Sequence, residues 1–279
     1  MDRGKFILSI GLVQDDKNIL DVPIAATGSA SEKIYTKRPS STKLHTWFGQ
    51  VLATSIESIN GEPIAAPFNS SKDQDAIPPL VRAIPFLDVG NLLIQIQREC
   101  WEKVIKGQKL QCSKCGAHLV ADIDLGNIDI PVSETAILEQ VVKLSKTYET
   151  VAEIEQMKQF EGYQFNRMKF RVATLGDAIK HEKIVKDELK FWQNIAFDTL
   201  LELYYEDEET GKIVTVPEEY KNRRGKVMFD RDFDTIALKE IRASLQKDLP
   251  SAKYYYEEDC PECGEPTPFF ANVTNFFTV

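Results

Sequence analysis

Apolar positions along this 279-residue chain change period several times. Short alternating pieces at Phe6 to Ile10, Ile19 to Ile24 and Lys33 to Thr36, separated by polar turns, predict a small β element. From Ser41 the pattern becomes helical. Leu44, Trp47, Phe48, Val51, Leu52, Ile56 and Ile59 return every three or four residues, and Asn60-Gly61 is the expected stop. Prolines at 63, 67, 78, 79 and 85 predict an extended loop. Asp88 is placed to cap a further helix that carries Val89, Leu92, Leu93, Ile96, Cys100 and Trp101 on one face. Lys103 to Leu110 and the alternating His118 to Ile123 predict two strands of a hairpin.

Ser133 is placed to cap a long helix through about Glu161, because Ile137, Val141, Leu144, Tyr148, Val151, Ile154 and Met157 share helical spacing. Leu138, Val142 and Phe160 widen that stripe into a core-facing surface rather than a coiled-coil seam. A short strand is expected at Lys169 to Val172, a second helical region from Leu175 to Leu203, and a strand at Ile213 to Val216. The basic tract Lys221 to Lys226 reads as a solvated loop, with docking of a negative partner as its competing use. A last helix follows Phe233-Asp234, with Ile236, Leu238, Ile241 and Leu245, and ends at Pro250.

Two stretches carry chemistry. Cys112-Ser113-Lys114-Cys115-Gly116 and Cys260-Pro261-Glu262-Cys263-Gly264 are both C-x-x-C-G knuckles set between strand-like segments. One such pair is ambiguous, but two supply the four thiolates of a closed tetrahedral zinc site. A four-thiolate set leaves no open position for water, so the zinc is expected to be structural rather than catalytic. His118 is an alternative ligand if the knuckles do not meet. A redox C-x-x-C is the other reading, yet that chemistry favours a thiolate at a helix N-terminus in a βαβ setting. The fifth cysteine, Cys100, sits among apolar residues and reads as a small buried hydrophobe.

Composition sharpens this picture. The hydrophobic share of 43% and charged share of 28% describe a globular chain, and cysteines spent on knuckles fit a reducing compartment. A net charge of −9 argues against nucleic acid as the main partner. No stretch approaches the roughly 20 apolar residues of a membrane helix, so no membrane partner is expected. Phosphate-binding loops, H-E-x-x-H and G-x-S-x-G are all missing from the sequence, and His45 and His181 each fall on a predicted helix. The expectation is a protein that is not an enzyme.

The knuckle regions rhyme at an offset of 148 residues. Asp88 and Asp234 open the preceding helices, Arg98 and Arg242 lie late in them, and Asp124 to Ile128 aligns with Asn272 to Phe276. An internal duplication is therefore expected. The predicted fold is α+β, with two related helix-plus-β-hairpin lobes, residues 1–132 and 167–279, joined by a long 133–166 helix. Zinc held by Cys112, Cys115, Cys260 and Cys263 would staple the lobes together.

The helix ending at Gln97-Arg98 or Ile241-Arg242, the strand, the C-x-x-C-G and the closing Asp124 to Ile128 together resemble a known family. They are similar to the baseplate hub and tail-assembly proteins of T-even-like contractile-tailed bacteriophages. Lys33 to Pro39 and Arg171 to Asp177 look like that family's strand leading into a helix entry. The resemblance implies a structural component or assembly factor of a contractile tail, bound to hub or wedge proteins in a large hetero-oligomer. It implies residence in the virion's tail baseplate, and in host cytoplasm during assembly. The alternative from another class is a zinc-ribbon protein that binds nucleic acid.

Overall fold

The stripe that begins at Leu44 forms α1, Leu44–Ser55, and it is enclosed nearly all round, with Trp47, Val51 and Leu52 at the centre of a core. Gly49 lets a second segment press onto the helix backbone. A Cβ there would lie 2.6 Å from Ile77 Cδ1. Asn60-Gly61 has a different job from the one its sequence suggests. The helix ends at Ile56, and Asn60 and Gly61, at φ 58° and 76°, turn a two-residue hairpin between Ser58–Ile59 and Glu62–Pro63. Left-handed backbone at both central positions is what such a turn requires, and Asn-Gly supplies it.

This computed structural model describes residues 5–6, 13–14, 17–18, 22–23, 42–64, 77–100, 103–128, 136–247 and 255–270. Of the small N-terminal β element, Lys5–Phe6 pairs with Val22–Pro23 and Val13–Gln14 with Lys17–Asn18, while Lys33 to Thr36 falls outside the described residues. Residues 65–76 of the proline-rich stretch, and Ser133, also fall outside them.

α2, Phe86–Cys100, packs on α1 through Val89, Leu92, Leu93 and Ile96. Asp88 lies inside its first turn, buried, and is not the residue before it. Two antiparallel strands follow, β1 (Val104–Gln111) and β2 (His118–Asp124), with Leu110 opposite Leu119. β2 alternates as its sequence predicts. Leu119, Ala121 and Ile123 face inward, whereas His118, Val120 and Asp122 face solvent.

Residues 137–249 form a unit of their own. The predicted 133–166 helix is absent from it. Glu139–Glu149 is a strand, β3, and Gln164–Arg171 is its antiparallel partner, β4. Gln140, Val142 and Leu144 point inward while Val141 points out, a period of two that outcompetes the helical spacing. The helical region after Leu175 is likewise interrupted. α3 (Leu175–His181) and α4 (Glu188–Thr199) stop before Leu200, and Leu200–Glu206 becomes β5. β6, Ile213–Thr215, completes a sheet of order β6-β5-β4-β3. Two more helices follow, α5 (Glu218–Arg224) and α6 (Thr235–Lys247), the latter capped by Asp234, which accepts the Ala237 amide at 2.9 Å.

The basic tract is therefore not a free loop. Lys221 Nζ reaches the Leu200 carbonyl at 3.0 Å, Arg223 sits over the Phe160 ring, and Arg224 is pinned between Asp232 and Glu153. These cations serve the unit that carries them.

The chain then returns to where it left. β7 (Tyr255–Asp259) and β8 (Pro266–Phe270) form a hairpin in the same unit as α1, α2, β1 and β2, composed of residues 1–136 and 250–279. β8 lies against β1, and Leu110, Leu119, Ala121, Cys112 and Cys260 share one apolar cluster. The two expected lobes are thus not those of the chain. Both knuckles belong to one unit, the other unit is inserted between them, and the helices preceding the knuckles lie in different units. Among the described residues the likeness between halves is confined to the knuckle hairpins, and Asn272 to Phe276, set against Asp124 to Ile128 in the sequence, fall outside the described residues.

Candidate metal centre

Each knuckle is built by the same backbone bonds. In the first, the Cys112 amide donates to the Ala117 carbonyl and the Gly116 amide to the Cys112 carbonyl, both at 2.9 Å. In the second, the Cys260 amide donates to the Glu265 carbonyl at 3.0 Å and the Gly264 amide to the Cys260 carbonyl at 2.8 Å. Gly116 and Gly264 sit at φ 74° and 69°, where a side chain would be strained, which is why glycine follows each second cysteine.

These turns aim four sulfur atoms at one point. Cys112 Sγ lies 3.7 Å from Cys263 Sγ, Cys115 Sγ lies 3.6 Å from Cys260 Sγ, and all four fall within 4.8 Å of one another. Both close contacts cross between knuckles. A disulfide needs about 2.05 Å, so these are separate thiols. A tetrahedron with sulfur about 2.3 Å from its centre has edges of about 3.8 Å, which the two cross-knuckle distances nearly match. All four predicted ligands are brought together.

The electrostatics also suit a cation. Amides of Cys115 and Lys114 favour the Cys112 thiolate against the opposing effect of burial, and the Cys112 thiol is drawn down to about 6. The Ala117 amide favours the Cys115 thiolate, but burial and contact with Cys260, Cys263 and Cys112 override it and push Cys115 up to about 12. Cys263 is raised in the same way, against the pull of the Glu265 amide. Cys112 ionises readily, whereas Cys115 and Cys263 resist. A positive charge at their centre would favour the thiolate forms.

His118 is not part of this set. It pairs with Gln111 in the hairpin but its side chain faces solvent. Cys100 ends α2, and its side chain lies outside what is described. Lys114 of the first knuckle bridges to Glu265 of the second at 2.6 Å.

The other two histidines lie on α1 and at the end of α3. His181 Nε2 lies 2.6 Å from Asp198 Oδ2 on the flank of α3 and α4, and Arg171 makes a two-pronged bond to Asp177 nearby at 2.7 Å on each arm. His45 is enclosed by Phe48 and Phe86, and burial lowers its pKa to about 4.

No helix among the described residues is long and apolar enough to cross a membrane. No protein-family model matches the chain, nor does any curated protein or solved structure.

Proposed function

We propose that this protein is a non-enzymatic component or assembly factor of a contractile phage tail baseplate, or of a related injection machine, carrying one structural zinc ion. The observation that carries the structural part is the four-sulfur set of Cys112, Cys115, Cys260 and Cys263. Soft thiolates in tetrahedral array select zinc or iron over hard cations, and a redox-inert ion with no open position suits a structural role. Nothing in such a centre is left to bind a substrate. The tail assignment rests on the resemblance of the knuckle and helix motifs, and hub or wedge proteins are its partners.

The nucleic-acid reading needs a cationic face beside the ribbon. Asp259, Glu262 and Glu265 crowd the second knuckle instead, and Lys114 is committed to Glu265.

Metal analysis of purified protein tests the first half. One zinc per chain is expected, lost as completely in Cys260→Ser as in Cys112→Ser. Two metals per chain, or zinc that survives either substitution, refutes a shared centre, and iron would reassign it. Removing the gene from its phage tests the second half. Heads should accumulate without attached tails, whereas normal, infectious tails would sink the assignment.

A further inference from the structure

The four-stranded sheet of the 137–249 unit treats its two edges differently. β3, at one end, is covered. α6 packs on it, the Glu240 carboxylate accepts the Ser145 amide at 3.1 Å, and the Gln140 side-chain amide reaches the Ser244 carbonyl at 3.4 Å. β6, at the other end, is bare. Ile213 is 59% exposed and Val214 41%, and among the described residues no strand pairs with the outer side of β6. Sheet edges are commonly blunted by a charge, a proline or a covering element, whereas Ile213, Val214 and Thr215 are a run of strong strand formers. Lys212 and Pro217 stand only beyond its ends.

Register fixes which backbone groups face outward. The Asp207 amide donates to the Lys212 carbonyl at 3.0 Å and the Val216 amide to the Leu203 carbonyl at 2.9 Å, with Val214 opposite Tyr205 between them. Residues 212, 214 and 216 therefore turn their peptide groups towards β5, and by the alternation of an antiparallel ladder Ile213 and Thr215 turn theirs away. Those outward amides and carbonyls match one further strand. Its residue opposite Val214 would share a face with Tyr205, at a cleft of about 320 Å³ lined by Tyr163, Gln164, Tyr205 and Val214. On the other face Glu202 accepts the Thr215 hydroxyl at 3.0 Å and lines a second cleft with Glu218. The lysines of that second cleft are already committed, Lys169 to Glu139 and Lys221 to the Leu200 carbonyl. Between Leu200 and Glu219 the chain carries seven carboxylates and one lysine. A second copy would bring like charges together at this edge, while a cationic strand would neutralise them.

We propose that β6 is a docking edge for an extended, cationic segment of a partner protein, which adds a strand to the sheet, seats one apolar side chain beside Val214 and turns basic side chains towards Glu202 and Glu218. Main-chain bonds then supply affinity, and the alternating side chains supply selectivity. The metal centre has no part in this, since its cysteines belong to the other unit.

The test uses the full chain and a labelled, end-blocked Thr-Lys-Leu-Lys-Thr peptide, with binding read by fluorescence anisotropy. Saturable binding that weakens with salt is expected, and a counterpart with glutamate in place of lysine should not bind. On saturation the amides of Ile213 and Thr215 should gain protection from hydrogen exchange. Ile213→Pro removes one outward amide and none of the bonds to β5, so affinity should fall about fivefold. Methylating the lysine amides of the peptide, which face the edge, should weaken binding as well, and does so without altering the protein. Failure of the lysine peptide to bind, equal binding of the glutamate peptide, or an affinity indifferent to methylation overturns the proposal. So does a concentration-dependent dimer of the peptide-free chain that Ile213→Pro abolishes, which would give the edge to a second copy.

Discussion

Asp232 shows how much one buried carboxylate can organise. It accepts from Arg224 Nε at 2.9 Å and from the Tyr220 hydroxyl at 3.1 Å, and only 4% of its side chain and 7% of that of Arg224 reach solvent. Removing Asp232 leaves the buried Arg224 with only the half-exposed Glu153, 2.7 Å from its other arm, as counter-charge. Asp232→Ala should cost about 3 kcal/mol, read as a lower urea midpoint, and an unchanged midpoint would mean that water reaches Arg224. His45 makes the opposite kind of prediction, through a charge it refuses. Its pKa falls from 6.5 to about 4 because burial disfavours the imidazolium. Between those values the unfolded chain binds a proton that the fold does not, so stability is full above pH 6.5 and lost as pH drops towards 4. The whole effect is about 3 kcal/mol. Acid also protonates the thiols, so the comparison is between wild type and His45→Gln at each pH. The gap between the two proteins should narrow from pH 7.5 to 4.5, and a constant gap refutes the assignment.

At the scale of elements, legibility followed local pattern. The β2 strand reads directly, because Leu119, Ala121 and Ile123 alternate with polar neighbours, and α1 and α6 read from their spacing. The four-cysteine cluster was legible from its two motifs, since a C-x-x-C-G turn dictates its own geometry. β3 was not. Val141, Leu144 and Tyr148 fit a helix as well as a strand, and Gln140, an inward polar residue on the sheet, hides the alternation. Leu200 to Leu203 failed for a related reason, as a short apolar run continues a helix on paper and starts a strand in space. The Arg224 cluster joins Glu153 to an arginine 71 positions later, and no local period signals it.

For the molecule as a whole, the decisive fact is that one unit is made of two separated stretches. The thiols of each cross-knuckle contact are 145 and 151 residues apart in sequence. Closure of so long a loop is not prohibitive, because each doubling of length adds only about 0.6 kcal/mol, and a structural zinc in the proposed centre would return on the order of 10 kcal/mol. Chelating the metal should therefore expose the amides of β1, β2, β7 and β8 to hydrogen exchange. Full protection of those strands in metal-free protein would show that the apolar cluster around Leu110 and Leu119 suffices. The same topology sets a timetable. At a synthesis rate of about 5–20 residues per second, Cys115 leaves the ribosome roughly 7–30 s before Cys260. Throughout that interval the nascent chain carries half a centre, two thiols without their counterparts, while the inserted unit is still being made. A chain interrupted anywhere within residues 137–249 can never assemble the four-sulfur set. A metal held by all four sulfurs would thus mark translation past Cys263, a distinction between finished and unfinished copies of the chain.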